Sequence, residues 1–181
     1  METVNTQASQ WTGKSMTPEQ AVFLRDILFE RLEKEFATNC RVLRAVPADQ
    51  GSYRPHENSR SALELAWHLA SSDIWFLDGF LAGKFEMEDD SMPSDIGEPA
   101  DISATFEDLY PPKMEKVRLL SPEFWTRPIP FFGMFNLPAV MYLEFMLAHS
   151  IHHRGQLTAY LRPMGAKVPN IYGGSFDEPM Q

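Results

Sequence analysis

Apolar residues recur at helical spacing in four long stretches of this chain, and proline or glycine closes each one. The first stretch opens at Thr17-Pro18-Glu19-Gln20. Thr17 can cap a helix, Pro18 suits the first helical position, and Gln20 completes a capping box. Leu24, Ile27, Leu28, Leu32, Phe36 and Leu43 follow at helical intervals, to about Val46 and the stop at Pro47. The second stretch runs from near Ser59 to Ala82 or Gly83. The third starts near Ser103, and Pro111-Pro112 predicts a break or kink before the pattern resumes from Lys113 to Leu120. The fourth is expected to be capped by Asn136, with Pro138 in its first turn, and to end at about Leu161 ahead of Pro163 and Gly165. Between the third and fourth, residues 121–136 read as a structured loop with one short strand at most, Ile129 to Phe132.

Amphipathic helices of about 20 to 28 residues must bury their stripes against one another. The expected fold is therefore all-α, a four-helix bundle, and the long loops between helices 2 and 3 and between helices 3 and 4 imply a crossover connection. At 181 residues the chain suits one domain with a sizeable core. Residues 1–16, with the isolated Trp11, read as an N-terminal arm, 17–165 as the bundle, and 166–181 as an irregular tail packed on it. The formal net charge of -9 repels phosphate backbones, so nucleic acid is not an expected partner. No apolar run reaches the roughly 18 residues of a membrane span, and the N-terminus lacks a basic-then-apolar leader pattern. The single cysteine, Cys40, agrees with a reducing cytoplasm, and reads as a helix residue without chemistry.

Chemistry concentrates in His149-Ser150-Ile151-His152-His153-Arg154-Gly155-Gln156-Leu157. At about 100° per residue, His149 and His153 leave the same face of a helix one turn apart. Such a pair offers two nitrogen ligands to one metal ion and needs a third ligand from elsewhere. His68 is the candidate, set in the apolar run Leu63-Glu64-Leu65-Ala66-Trp67-His68-Leu69-Ala70. Its stripe of Ser61, Glu64, Leu65, Ser72 and Trp75 is part polar and part aromatic, which suits a pocket floor better than a dry core. Glu64 either accepts the second N–H of that imidazole or is a solvent-facing carboxylate. His149 with His152, at i and i+3, is an alternative pairing. The stripe of His152 also holds Ala148, Gly155 and Ala159, small residues that suggest close helix packing. His56 falls in a loop and reads as surface.

Three neutral imidazoles leave one position of a tetrahedral ion open, unlike a closed structural zinc site. The open position can take water or a thiolate, and the ion lowers the pKa of either. The chain contains no His-Glu-x-x-His motif and no paired Glu-x-x-His, so a zincin and a carboxylate di-iron bundle are both excluded.

The chain resembles the DinB family of metal-binding four-helix bundles. The likeness extends over about residues 17 to 178 and rests on three segments. They are Tyr53-Arg54-Pro55 followed by Arg60 to Leu69, His149 to Leu157 with Tyr160-Leu161-Arg162, and Val168-Pro169-Asn170-Ile171-Tyr172-Gly173. The resemblance implies a crossover between the second and third helices, a homodimer, and a three-histidine site on His68, His149 and His153. It implies zinc or nickel there, and a thiol-dependent S-transferase or isomerase activity that uses a low-molecular-weight thiol on a small-molecule substrate.

On that reading Arg154 or Arg162 holds a carboxylate of the thiol, or else forms an ordinary ion pair. Tyr172 lines the pocket or simply docks the tail. A metal-dependent hydrolase with the same ligands, a non-catalytic stress-related metal- or ligand-binding bundle, and hydrogen-bonded histidines without metal are the competing expectations.

Overall fold

The computed structural model describes residues 9–10, 15–87 and 91–180, so Trp11 lies outside the described residues. Helix α1 spans Pro18–Arg44, α2 Ala62–Ala82, α3 Pro99–Arg118, α4 Pro122–Thr126 and α5 Ala139–Leu161. Strands β1 (Ser9–Gln10), β2 (Pro128–Phe131) and β3 (Phe135–Pro138) make a small sheet of order β1-β3-β2. β2 pairs antiparallel with β3, and β1 joins β3 in parallel. No helix among the described residues is long and apolar enough to cross a membrane.

The capping box of α1 is present, with the Thr17 hydroxyl accepting from the Gln20 N–H at 3.3 Å and the Gln20 carbonyl accepting from the Thr17 N–H at 3.0 Å. Helix α2 begins with an equivalent box at Ser61 and Glu64. Gly83 ends it at φ 68, a left-handed conformation that glycine adopts without strain. Helix α3 differs from expectation in two ways. It starts at Pro99, and it continues through Pro111 and Pro112 without a break. Both prolines are exposed, so water can satisfy the carbonyls that lose a helical partner. Phe106, Tyr110, Met114 and Val117 on the opposite face are buried and hold the helix together.

Two other expectations are corrected. Residues 121–136 hold the short helix α4, closed over the buried Trp125, and most of a hairpin, rather than a loop with a single strand. Asn136 lies within β3 and caps nothing, while Pro138 stands at the cap position of α5 without a side-chain bond. The Ala139 N–H instead donates to the Arg127 carbonyl at 2.9 Å. Prolines fill three of the eight strand positions, but Pro128 and Pro130 lie on the edge strand β2, and Pro138 is the last residue of β3, beyond the two positions that pair with β1. Tyr142 ties the hairpin to α5, donating to the Ile129 carbonyl at 2.6 Å and accepting from the Leu137 N–H at 3.2 Å.

Each of α1 and α2 packs on both α3 and α5. Their directions follow from side-chain pairings. Arg44 meets Glu107 and Arg118 meets Glu33, so α1 and α3 are antiparallel. Tyr160 reaches the Arg60 carbonyl while Phe85 packs on Tyr142, so α2 and α5 are antiparallel. Lys113 pairs with Asp78, and Trp125 beyond α3 touches Phe80 near the end of α2, so α2 and α3 are parallel. Parallel neighbours require a connection that returns along the bundle. Residues 83–98 reach roughly 50 Å when extended, more than the ~30 Å of a 20-residue helix. This is the crossover of an all-α four-helix bundle.

The centre of the bundle is polar. Arg154 is 1% exposed and forms an ion pair with Glu35 of α1. It also donates to Asn39 at 3.2 Å and to the Tyr172 hydroxyl at 2.6 Å. Tyr172 donates in turn to Glu35 at 2.8 Å, which docks the tail onto the core. Asn39 donates to Ser150 at 2.7 Å, and Ser150 donates to Asp73 of α2 at 3.1 Å. Burial pushes the Asp73 carboxyl up to about 8, against the opposing pull of the Ser150 bond and the Arg154 charge. Asp73 is therefore an uncharged acid at neutral pH.

Replacing Arg154 with Met leaves Glu35 buried without its cation, and should lower the stability measured by urea denaturation by about 3–5 kcal/mol. Asp73 leaves a pH signature. The folded carboxyl keeps its proton up to about pH 8, whereas an unfolded one loses it near 4. The folded state binds the extra proton between those values, so this stability contribution is full below pH 4 and is lost as pH rises to 8. Histidines of the unfolded chain titrate near 6.5, so the lowered His149 and His153 add stability as pH rises through that value, in native and variant chains alike. Denaturation from about pH 6.5 to 8 should show the native chain losing stability relative to an Asp73→Asn variant, the difference isolating the carboxyl.

Candidate metal centre

His149 and His153 lie one turn apart on α5, and the antiparallel α2 brings His68 opposite them. Ring centroids are 5.1 Å apart for His68 and His149, 4.5 Å for His68 and His153, and 4.3 Å for His149 and His153. One nitrogen from each ring lies within 4.8 Å of those of the other two, a grouping that could hold a metal ion. Two nitrogens at 2.0–2.1 Å from one zinc ion are at most about 4.2 Å apart. An ion held by all three would therefore draw the nitrogens closer than that 4.8 Å limit.

All three rings are partly buried. Burial, and then the neighbouring His153, His68 and His152, hold the His149 imidazole down at about 4. Burial also lowers His153, against a raising hydrogen bond from Gln156. His149 and His153 are thus neutral at pH 7, the form that ligates metals. The Gln156 carbonyl oxygen lies 2.8 Å from His153 Nδ1, and the Ser72 hydroxyl 3.5 Å from His68 Nδ1. Side chains of this kind fix the ring orientation of metal-bound histidines. His149 Nδ1 is buried and has no hydrogen-bond partner among the described residues. An orphaned ring nitrogen beside two other imidazoles fits a site for a cation.

No fourth protein donor joins the three histidines among the described residues. Cys40 is buried in the core, where burial pushes its thiol up to about 11. Glu64 closes the start of α2, accepting from the Ser61 N–H at 2.7 Å, and pairs with Arg54 at 3.1 Å. A closed structural zinc site has four protein ligands, one more than this set. The cluster opens on a cavity of about 550 Å³, whose lining includes His68 and His149. Ser72 and Trp75, read from the sequence as a pocket floor, also line it.

Other sequence candidates lie elsewhere. Arg154 belongs to the buried polar centre, and Arg162 pairs with Asp177 at 2.7 Å. Neither arginine lines the cavity, and neither does Tyr172, whose hydroxyl bonds Glu35 and Arg154. His152 is exposed with Ala148, Gly155 and Ala159, so that stripe does not pack against a helix of its own chain. His56 is an exposed loop residue. The sequence reading missed the cavity wall made by Phe131, Phe132 and Phe145. One trace of it was visible, because Phe145 stands one turn before His149 on the same helical face.

A relative, the uncharacterized protein YrdA of Bacillus subtilis strain 168, is 42% identical over 50 residues. That segment is 28% of this chain and 29% of YrdA, less than a third of the relative's length. Two solved structures share the fold. A DinB-like protein from Bacillus cereus ATCC 10987 superimposes with a TM-score of 0.69 at 22% identity, over 80% of this chain and 95% of that one. The DinB-like protein YjoA of Bacillus subtilis gives 0.62 at 23% identity, over 85% of this chain and 99% of its own. The model of the DinB family matches residues 22–181, a span that holds all three histidines and every helix of the bundle apart from the first turn of α1, and the chain belongs to that family.

Proposed function

We propose that the protein is a metal-dependent enzyme that joins a low-molecular-weight thiol to an electrophilic small molecule. The observation that carries this reading is the cluster of His68, His149 and His153 with two of its rings in the wall of a 550 Å³ cavity. The three histidines would hold a divalent ion, zinc or nickel by resemblance to the family, which supplies a positive charge that favours the thiolate form of a bound thiol. Burial keeps His149 and His153 unprotonated, and Gln156 and Ser72 orient the rings beside them. The apolar walls keep water from competing for the electrophile. In the transfer, a sulfur electron pair forms the new C–S bond. The leaving group departs with the electrons of its broken bond, and the thiol proton passes to solvent.

The hydrolase alternative needs a proton carrier near the ion. Among the described residues, the one carboxylate in the cavity lining is Asp78, and it is paired with Lys113. That pairing favours thiol transfer. A cytoplasmic location, where small thiols stay reduced, belongs to the same proposal and agrees with a free buried Cys40. So does a homodimer, for which the exposed Ala148, Gly155 and Ala159 of α5 would allow close approach of a second helix.

Protein purified without a histidine tag should carry about one divalent ion per chain by elemental analysis, and His68→Ala or His153→Ala should reduce that severalfold or more. Retention of full metal content in both variants would reject the site. Incubation with a small thiol and 1-chloro-2,4-dinitrobenzene should consume both, and chelation should stop the consumption. Metal-dependent turnover of substrates without any thiol would favour the hydrolase, and bound metal without turnover of either kind would favour the binding bundle.

A further inference from the structure

We propose that the cavity beside the histidine cluster selects an electrophile with a neutral, flat aromatic body and rejects anionic ones; this rests on the enzyme reading above and names its substrate class. The volume of about 550 Å³ suits a small organic molecule. Six aromatic side chains line it: Trp67, Trp75, Phe76, Phe131, Phe132 and Phe145. They come from α2, the hairpin and α5, and they meet at varied angles. Trp75 and Phe132 stack at 23° with centroids 5.9 Å apart, while Phe131 and Phe145 meet edge to face at 90° and 5.4 Å. Faces and edges presented together suit a planar ring in offset or T-shaped contact.

Charge points the same way. Among the described residues that line the cavity none is Lys or Arg, and Asp78 is the one carboxylate. Away from the histidine cluster, an anionic ligand body would lose its hydration without gaining a cation partner among these residues. The net charge of -9 adds to the repulsion.

The hairpin turn is the second, independent observation. Phe132 has φ 50 and Gly133 has φ 70, with the Met134 N–H bonded to the Phe131 carbonyl at 2.9 Å. Positive φ at both central residues marks a turn in which Asn-Gly is the favoured pair. A bulky aromatic residue at the first position is strained. Its ring is 36% exposed and stacks over Trp75 at the cavity. Neither burial in the core nor turn geometry accounts for phenylalanine at this position, and strain of this kind collects at ligand sites. Phe132 is therefore assigned as a wall of the substrate site. Exposed Met87, Leu109 and Phe145 continue the apolar lining beside it.

The test uses metal-free protein, so that neither the ion nor turnover enters the result. Trp67 and Trp75 report binding through quenching of intrinsic fluorescence. The probes are 2-acetylnaphthalene, which is neutral, and 2-naphthoate, which has the same ring system with a negative charge. The neutral probe should bind at least about tenfold more tightly. Phe132→Gly, which glycine tolerates at positive φ, should stay folded and weaken the neutral probe by about two- to tenfold. Leu109→Lys, which puts a cation into the apolar lining, should raise the affinity for naphthoate and so narrow the preference for the neutral probe. Equal affinities in the native protein, no binding of the neutral probe, or an unchanged affinity in Phe132→Gly would each overturn the proposal. Selective binding in a protein that then carries no metal or shows no thiol transfer would retain the apolar site and reject the enzyme reading, so the two failures are separable.

Discussion

The guanidinium of Arg154 is shared among Glu35, Asn39 and Tyr172 at the centre of the bundle. A buried cation is tolerated only when its charge and its donors are met. These contacts therefore determine how α5 is turned about its own axis. Successive residues on a helix point about 100° apart, so holding Arg154 against α1 and the tail turns His149 and His153 toward α2. Ser150, the residue after His149, bonds Asp73 of α2 and receives Asn39 of α1, which sets the relative heights of the three helices. The histidine cluster is in this sense a by-product of the polar centre next to it.

The cavity depends on a different feature, the unusual path of the chain. Because α2 and α3 run parallel, their connection must return along the bundle, and Phe85 and Met87 at its start fall next to Trp75 and the cavity. The stretch between α3 and α5 then closes the same end with α4 and the hairpin. Arg127, just after α4, donates to the Gly83 carbonyl at 2.5 Å and joins the two connections. The aromatic walls thus come from segments far apart in sequence. No single amphipathic stripe announces them.

Local chemistry was the most legible part of the sequence. The capping box at Thr17 and Gln20, the glycine that ends α2 and the stop near Leu161 are decided by residues a few positions apart, and the structure repeats them. Elements whose formation depends on distant packing were misread. Pro111 and Pro112 carry a local penalty that the buried face of α3 outweighs, and the prolines of β2 and β3 hid a hairpin that Tyr142 and β1 stabilise. Arg154 illustrates the same limit. From sequence it was a candidate to hold a ligand or to form an ion pair, and only its partners on α1 and in the tail show which.

The sequence alone settled that this chain makes long amphipathic helices, that His149 and His153 share a face, and that no local zinc or di-iron motif is present, because helical spacing and short motifs are properties of neighbouring residues. Tertiary structure decided that His68 meets that pair, that Phe132 and Phe145 face the same space, and that Asp73 keeps its proton at pH 7. Those outcomes turn on the rotation and height of whole helices and on the exclusion of water, which arise only when distant segments are packed together.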